Sequence, residues 1–182
     1  MKNRFNIAVL LIFVMFICGC ASVRENAKDR RERREEKIEK GFEEVKKTVF
    51  AGLYIFKARR VNPGAGFSPR DLTGYNSYLA VEYYDVESYL PFFGTVHIAE
   101  LPNRPGINIE GKLENLVIEE KNYRHRVVVK FDVDTSDDKY QVTIDIAPNF
   151  DASLTISSSK RSTITYTGKL YQLEIDDEEE KE

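Results

Sequence analysis

Four times between Arg126 and Thr167 the chain alternates apolar and polar residues with a period of two. Val127, Val129, Phe131 and Val133 share one parity, with Arg126, Lys130 and Asp132 on the other. Tyr140, Val142, Ile144 and Ile146 alternate with Gln141, Thr143 and Asp145. Ala152, Leu154 and Ile156 alternate with Ser153, Thr155 and Ser157, and Ile164 and Tyr166 with Thr163, Thr165 and Thr167. Side chains on a strand point to opposite faces in turn, so each run is a strand dry on one side only. Lys121-Asn122-Tyr123, Thr135 to Asp138, Pro148-Asn149 and Ser157 to Lys160 interrupt the runs with turn formers. Consecutive half-buried strands joined by short turns make an antiparallel meander. Earlier strands are expected at Leu53 to Arg60, Tyr78 to Tyr84, Val86 to Leu90, Gly94 to Ala99 and Glu114 to Lys121. The expected fold is therefore all-β: about nine antiparallel strands and no internal helix, closing into a barrel or a sandwich behind one N-terminal helix. An open edge would invite pairing with other chains, which is why closure or cover is expected.

The first 20 residues read as a targeting segment. Lys2 and Arg4 precede the uncharged run Ile7 to Cys18. Those 12 residues span about 18 Å as a helix, against roughly 30 Å for a bilayer core, so the run suits an export signal and not a spanning helix. Ile17-Cys18-Gly19-Cys20 resembles a bacterial lipobox, in which the cysteine is lipidated and becomes the new N-terminus. Residues 1–19 would then be the signal peptide and Cys20 the lipidated residue. With Cys18 removed and Cys20 acylated, the mature domain has no thiol for redox or nucleophilic work. A multiply acylated cysteine would hold the protein on the membrane permanently. No acidic cluster follows Cys20 in Ala21-Ser22-Val23, which favours the periplasmic face of the outer membrane over the cell surface.

Arg24 to Lys47 holds ten basic and eight acidic residues. Asp29/Arg33, Glu36/Lys40 and Glu43/Lys47 are acid-first pairs at i,i+4, each able to support a helix by a few tenths of a kcal/mol. The only apolar residue between Arg24 and Lys37 is Ala27, so residues 20–37 are expected to be a solvated stalk. Ile38, Phe42, Val45 and Val49 then form one helical stripe that would pack on the body, and Gly52 would end that helix in a left-handed cap. The body is expected over residues 38–172. The tail 173–182, with Asp176 to Glu182 carrying six acids and one Lys, is expected to be disordered.

Balanced charge (27 Lys+Arg against 30 Asp+Glu) gives no electrostatic footprint for nucleic acid. Two Cys and two His cannot build a cysteine or histidine metal cluster, and no cofactor is implied. No Gly-x-Ser-x-Gly elbow, Walker spacing or calcium loop is present. His97 and His125 are the only imidazoles; His125 sits between Arg124 and Arg126 and is expected to be exposed. Glu119/Glu120 and Asp137/Asp138 fall at strand ends and turns, where solvated carboxylates are the rule. The densest non-random feature is aromatic: Tyr75, Tyr78, Tyr83, Tyr84, Tyr89, Phe92 and Phe93 within 19 residues. Such rings either fill a small core, the favoured reading, or bind sugars, peptides and apolar ligands. The candidate ligand-facing set is Tyr75, Tyr78, Tyr84, Tyr89, Phe92, Phe93 and Arg161.

Ala58-Arg59-Arg60-Val61-Asn62-Pro63, Leu72-Thr73-Gly74-Tyr75, Ser88-Tyr89-Leu90-Pro91-Phe92-Phe93-Gly94, Gly106-Ile107-Asn108-Ile109 and Ala152 to Gly168 occur in that order. They resemble domain-of-unknown-function family 4251, uncharacterised lipoproteins of Bacteroidetes type. The resemblance supports the lipobox and brings no catalytic residue. Two places depart from the family pattern. Leu101-Pro-Asn-Arg-Pro105 replaces a glycine-rich stretch, and Phe150 stands where a turn glycine is usual, so a different turn is expected there. The functional expectation is a lipid-anchored envelope domain, non-catalytic, that binds a ligand or partner or is structural. Its partners would be the membrane through its lipid and a cell-wall or envelope protein, with no nucleic acid and no identified small molecule. The alternative is an envelope hydrolase or isomerase using carboxylates and Tyr in a barrel mouth.

Overall fold

The computed structural model describes residues 28–64, 66–97 and 106–173. The expected signal peptide, Cys20 and the acidic run after Leu173 lie outside the described residues. The chain divides into two units, 1–39 and 40–182.

In the first unit, residues 28–39 are helical and every one of them is exposed. Lys28 pairs with Glu32 at 3.8 Å, and Arg33 with Asp29 at 3.0 Å. The described part of the expected stalk, residues 28–37, is helical. Ile38, expected on the buried stripe, is 42% exposed.

The second unit opens with the helical residues 40–51, followed among the described residues by nine strands. They are β1 (Leu53–Asn62), β2 (Arg70–Asp71), β3 (Tyr78–Glu82), β4 (Asp85–Tyr89), β5 (Glu110–Lys121), β6 (Arg126–Asp134), β7 (Lys139–Ile146), β8 (Asp151–Ser158) and β9 (Ile164–Gln172). Every pairing is antiparallel, in the order β1-β3-β4-β5-β6-β7-β8-β9, and β9 returns to β1 over Tyr54↔Gln172 to Asn62↔Thr165. Eight strands therefore close an up-and-down barrel, and closure removes the edges that a sandwich would leave open. The short β2 adds only Arg60↔Asp71 and Val61↔Arg70 beside the far end of β1. The expected strand Gly94 to Ala99 does not form in its described part, where Val96 makes only an isolated bridge to Arg161. Among the described residues that follow the helical residues 40–51, one 3-10 turn, Asn122–Arg124, departs from a helix-free body.

The inward parity of each strand is closely filled. Phe56, Val61, Leu79, Val127, Val129, Val133, Ile144, Ile146, Leu154 and Tyr166 are all fully buried. Small barrels of this strand number have an interior just wide enough for side chains, which is how this one is used. One end is plugged by residues 40–51. Phe42, Val45 and Val49 are buried there. The Phe42 ring meets the His125 ring edge-on at 5.7 Å, so His125 is half-buried and not exposed as expected. Lys46 reaches Glu120 at 3.5 Å, and Gly52, at φ +72°, ends the helix beside the β3–β4 turn.

Gly41 records how closely this helix docks, because a Cβ there would lie 2.3 Å from the Pro148 carbonyl oxygen. In an exposed helix interior Gly→Ala stabilises by about 1 kcal/mol. Here the sign reverses: Gly41→Ala is expected to destabilise by roughly 2 kcal/mol, since a backbone carbonyl cannot swing aside as a side chain does. Chemical denaturation of the two proteins checks it.

The expectation at Phe150 is also corrected. Phe150 adopts φ +65°, the left-handed conformation a glycine would take. Its N–H bonds the Ala147 carbonyl, the Ala147 N–H bonds that of Asp151, and Leu170 N–H bonds Phe150 at 2.9 Å. The ring packs against the core, which offsets a backbone cost of about 1–2 kcal/mol. The glycine-type turn survives with a phenylalanine in it.

Candidate functional site

Most of the aromatic segment is not core, although Phe92 and Phe93 pack against it. Tyr75, Tyr83, Tyr84 and Tyr89 are exposed and Tyr78, Phe92 and Phe93 half-buried, which corrects the favoured reading. The core aromatics are Phe42, Tyr54, Phe56, Phe131, Tyr140 and Tyr166. Tyr83 belongs to the tight β3–β4 turn, at φ +56°.

The seven candidate residues separate into two places and two outliers. Tyr78 and Tyr89 are direct cross-strand neighbours on the outer wall of β3 and β4. Phe92, Phe93 and Arg161 gather at the barrel end opposite the helical plug. Tyr84 is exposed at the β3–β4 turn and Tyr75 in the β2–β3 loop, so neither joins either group.

At that open end the segment following β4 is strapped across the barrel. Arg161 donates from Nη1 to the Gly106 carbonyl at 2.6 Å and covers the Phe92 ring at 5.1 Å. Tyr166 donates its hydroxyl to the Pro91 carbonyl at 2.9 Å. Ser162 accepts the Thr95 N–H at its Oγ and donates its own N–H to the Thr95 carbonyl. Arg70 covers Phe93 at 4.4 Å. Asp138, expected to be solvated, is buried beside this cluster, with Oδ1 accepting from Lys139 N–H and Ser159 Oγ. Burial pushes the Tyr140 phenol up, and the Arg161 charge partly offsets that. The Arg161 guanidinium thus ties the strap to the barrel end, while its buried Nε has no hydrogen-bond partner among the described residues.

The outer wall across β3, β4 and β5 has a different character. Residues alternate outward in three cross-strand rows: Tyr78 opposite Tyr89, Ala80 opposite Glu87 opposite Glu110, and Glu82 opposite Asp85 opposite Lys112. The small Ala80 leaves a hollow between longer neighbours. A concavity of about 750 Å³ is lined by Ala80, Glu82, Asp85, Glu87, Glu110 and Lys112, and an adjoining one of about 410 Å³ by Tyr78, Tyr89 and Asn108 among others. Glu87 and Glu110 border both. Like charges directly opposite one another weaken a sheet, and this wall sets two such pairs side by side, Glu82/Asp85 and Glu87/Glu110. The partial compensation is Lys112 to Asp85 at 3.1 Å, and the Tyr78 hydroxyl donating to Glu87. That bond holds the Tyr78 phenol above its ordinary pKa, with burial adding to it. None of these four carboxylates stood out in the sequence, because only the strand register brings them together. Among the described residues no group of three His, Cys, Asp or Glu could hold a metal ion.

The family model for a domain of unknown function, DUF4251, matches residues 36–170, well over half of the chain. The chain belongs to the DUF4251 family. Its fold is similar to the crystal structure of a DUF4251 family protein from Bacteroides eggerthii, with a TM-score of 0.56 at 13% identity. That likeness covers 72% of this chain and 87% of the other, and at this identity it speaks for the fold alone. No curated protein matches. Of the two departures from the DUF4251 pattern, Phe150 keeps the turn as described above, whereas residues 101–105 lie outside the described residues.

Proposed function

We propose that this DUF4251 protein is a lipid-anchored envelope protein, attached through Cys20 at the periplasmic face of the outer membrane, whose barrel is a non-catalytic binding domain. The observation that carries the binding reading is the filled interior. Tyr54, Phe56, Val129, Ile144 and Tyr166 close the space where a small barrel would take a ligand, so recognition falls to the outer wall. The β3–β5 groove is the concave part of that wall, and it holds uncompensated charge and two Tyr rings. The lipobox-like Ile17-Cys18-Gly19-Cys20 supports the anchor.

One observation favours a second reading, hydrolase chemistry: Glu87 and Glu110 converge beside Tyr78 in one groove. Against it, all four carboxylates are exposed on an outer wall with no enclosure to exclude water. Turnover abolished by Glu87→Gln would establish that alternative.

The anchor is tested by fractionating cells that express the full chain and its Cys20→Ala variant. The parent is expected to stay with membranes through an alkaline wash and to incorporate labelled fatty acid, and the variant to do neither. A Cys20→Ala variant that remains membrane-bound after the wash would overturn the lipoprotein reading. A photo-crosslinking residue substituted at Tyr89, on the groove's rim, is expected to trap an adduct in cells.

A further inference from the structure

The groove's occupant can be argued from charge and spacing within this chain. On the exposed helical residues 28–39, Arg30, Arg34 and Lys37 recur at i, i+4 and i+7 and so line one face. Their neighbours Lys28 and Arg33 are engaged by Glu32 and Asp29, whereas no ion pair to Arg30, Arg34 or Lys37 forms among the described residues. Along the helix Arg30 and Arg34 are separated by about 6 Å of rise. In the groove the Glu82/Asp85 row and the Glu87/Glu110 row stand two strand residues apart, about 7 Å. Two guanidiniums on that helix face therefore match the two carboxylate rows on the wall in spacing and in sign, one Arg to each row. The Tyr78 and Tyr89 rings border the carboxylate rows and offer apolar surface to the arginine stems.

We infer that the β3–β5 groove binds the arginine-bearing helix, residues 28–39, of a second copy of this protein. The inference rests on the groove being a binding surface, as proposed above, and names its partner. A helix seated in a groove is a heterologous contact, so it closes a dimer only if both copies exchange helices, and otherwise runs from copy to copy. Exposed ion pairs are individually weak, at about 0.2–1 kcal/mol, so the contact depends on crowding of copies on a shared membrane and falls with salt.

The test uses the full chain in its membrane. Two differently tagged copies are co-expressed, one carrying the photo-crosslinker at Tyr89. The expected adduct contains the second tag, and raising salt during crosslinking of isolated membranes diminishes it. Arg30→Glu with Arg34→Glu in both copies is expected to lower the adduct at least tenfold, as is Glu87→Lys with Glu110→Lys. Placing one pair of reversals in each copy restores it, because a basic helix then meets an acidic groove again. All five positions, Arg30, Arg34, Glu87, Tyr89 and Glu110, are exposed, so folding is retained, and far-UV circular dichroism of the purified variants verifies it. An adduct that never contains the second tag overturns self-association, while an adduct with some other molecule leaves the binding groove standing. No adduct at all overturns both. Adduct unchanged by either reversal also overturns the helix-in-groove contact.

Discussion

Gly168→Ala is expected to lower the stability of the barrel by about 3 kcal/mol or more, although it adds a single methyl group. Gly168 faces inward on β9, opposite Ala58 of β1 on one side and Ala152 of β8 on the other. The β1 strand is irregular there, with Arg59 as the extra residue between Ala58 and Arg60. That bulge drives the Lys57 carbonyl against β9, where a Cβ on Gly168 would lie 2.0 Å from the oxygen and 3.0 Å from the Ala58 Cα. Both obstacles are backbone. An open sheet could let its edge strand slide, but β1 is held by β3 on its other side, so relief must break the seam that closes the barrel. For a domain of this size, 3 kcal/mol corresponds to a fall in Tm of roughly 10 °C. Gly111→Ala is the control. Its Cβ would meet the Val133 Cγ1 at 3.0 Å, the end of a side chain that can yield, and it should cost under about 1 kcal/mol. Equal melting temperatures for Gly168→Ala and the parent would mean that the β1–β9 seam does not close as described.

What the sequence revealed of this fold follows how locally each signal is written. β6 to β9 were legible because alternation such as Val127, Val129, Phe131, Val133 carries its own parity, and β6 begins and ends where expected, Arg126–Asp134. Closure was expected on general grounds, but the choice of barrel over sandwich and the strands that form the seam were not legible, since the pairing of β1 with β9 joins residues about a hundred positions apart and leaves no local trace. The two-residue β2 is Arg70-Asp71, polar and exposed, with nothing to mark it as a strand. Gly94 to Ala99 alternates like a strand, yet its described residues run in the strap where Phe92 lies under Arg161. The aromatic cluster misled for a related reason. Tyr rings at Tyr78 and Tyr89 have outward parity, and hydrophobicity alone does not say which face of a strand is wet. The acidic groove was the least visible feature: Glu87 and Glu110 are 23 positions apart and become neighbours only through register.

Alkaline titration is expected to unfold this protein cooperatively above pH 10. Tyr54 and Tyr166 are fully buried, and burial holds both phenols far above their ordinary pKa of about 10, with the Arg161 charge partly offsetting that at Tyr166. Tyr140 is raised in the same direction and by the same first cause, burial. The folded state therefore keeps these protons over a range in which the unfolded chain releases them. For an acid whose folded pKa lies above its unfolded value, stability is complete below the unfolded pKa and declines as pH rises through the gap. Each such group removes about 1.4 kcal/mol per pH unit within that interval, so Tyr54 and Tyr166 together remove roughly 3 kcal/mol per unit. Against a typical total of about 5–15 kcal/mol, that slope unfolds a barrel of stability near the lower end of the range within about two pH units. The Tyr54 and Tyr166 phenols should ionise together with loss of the β-sheet signal, followed as tyrosinate absorbance beside circular dichroism. Tyr54→Phe removes one of the linked protons and keeps the ring, so its unfolding should be less steep in pH. If the tyrosinate absorbance that Tyr54→Phe removes develops near pH 10 with the sheet signal intact, Tyr54 is reached by water and the barrel interior is not closed.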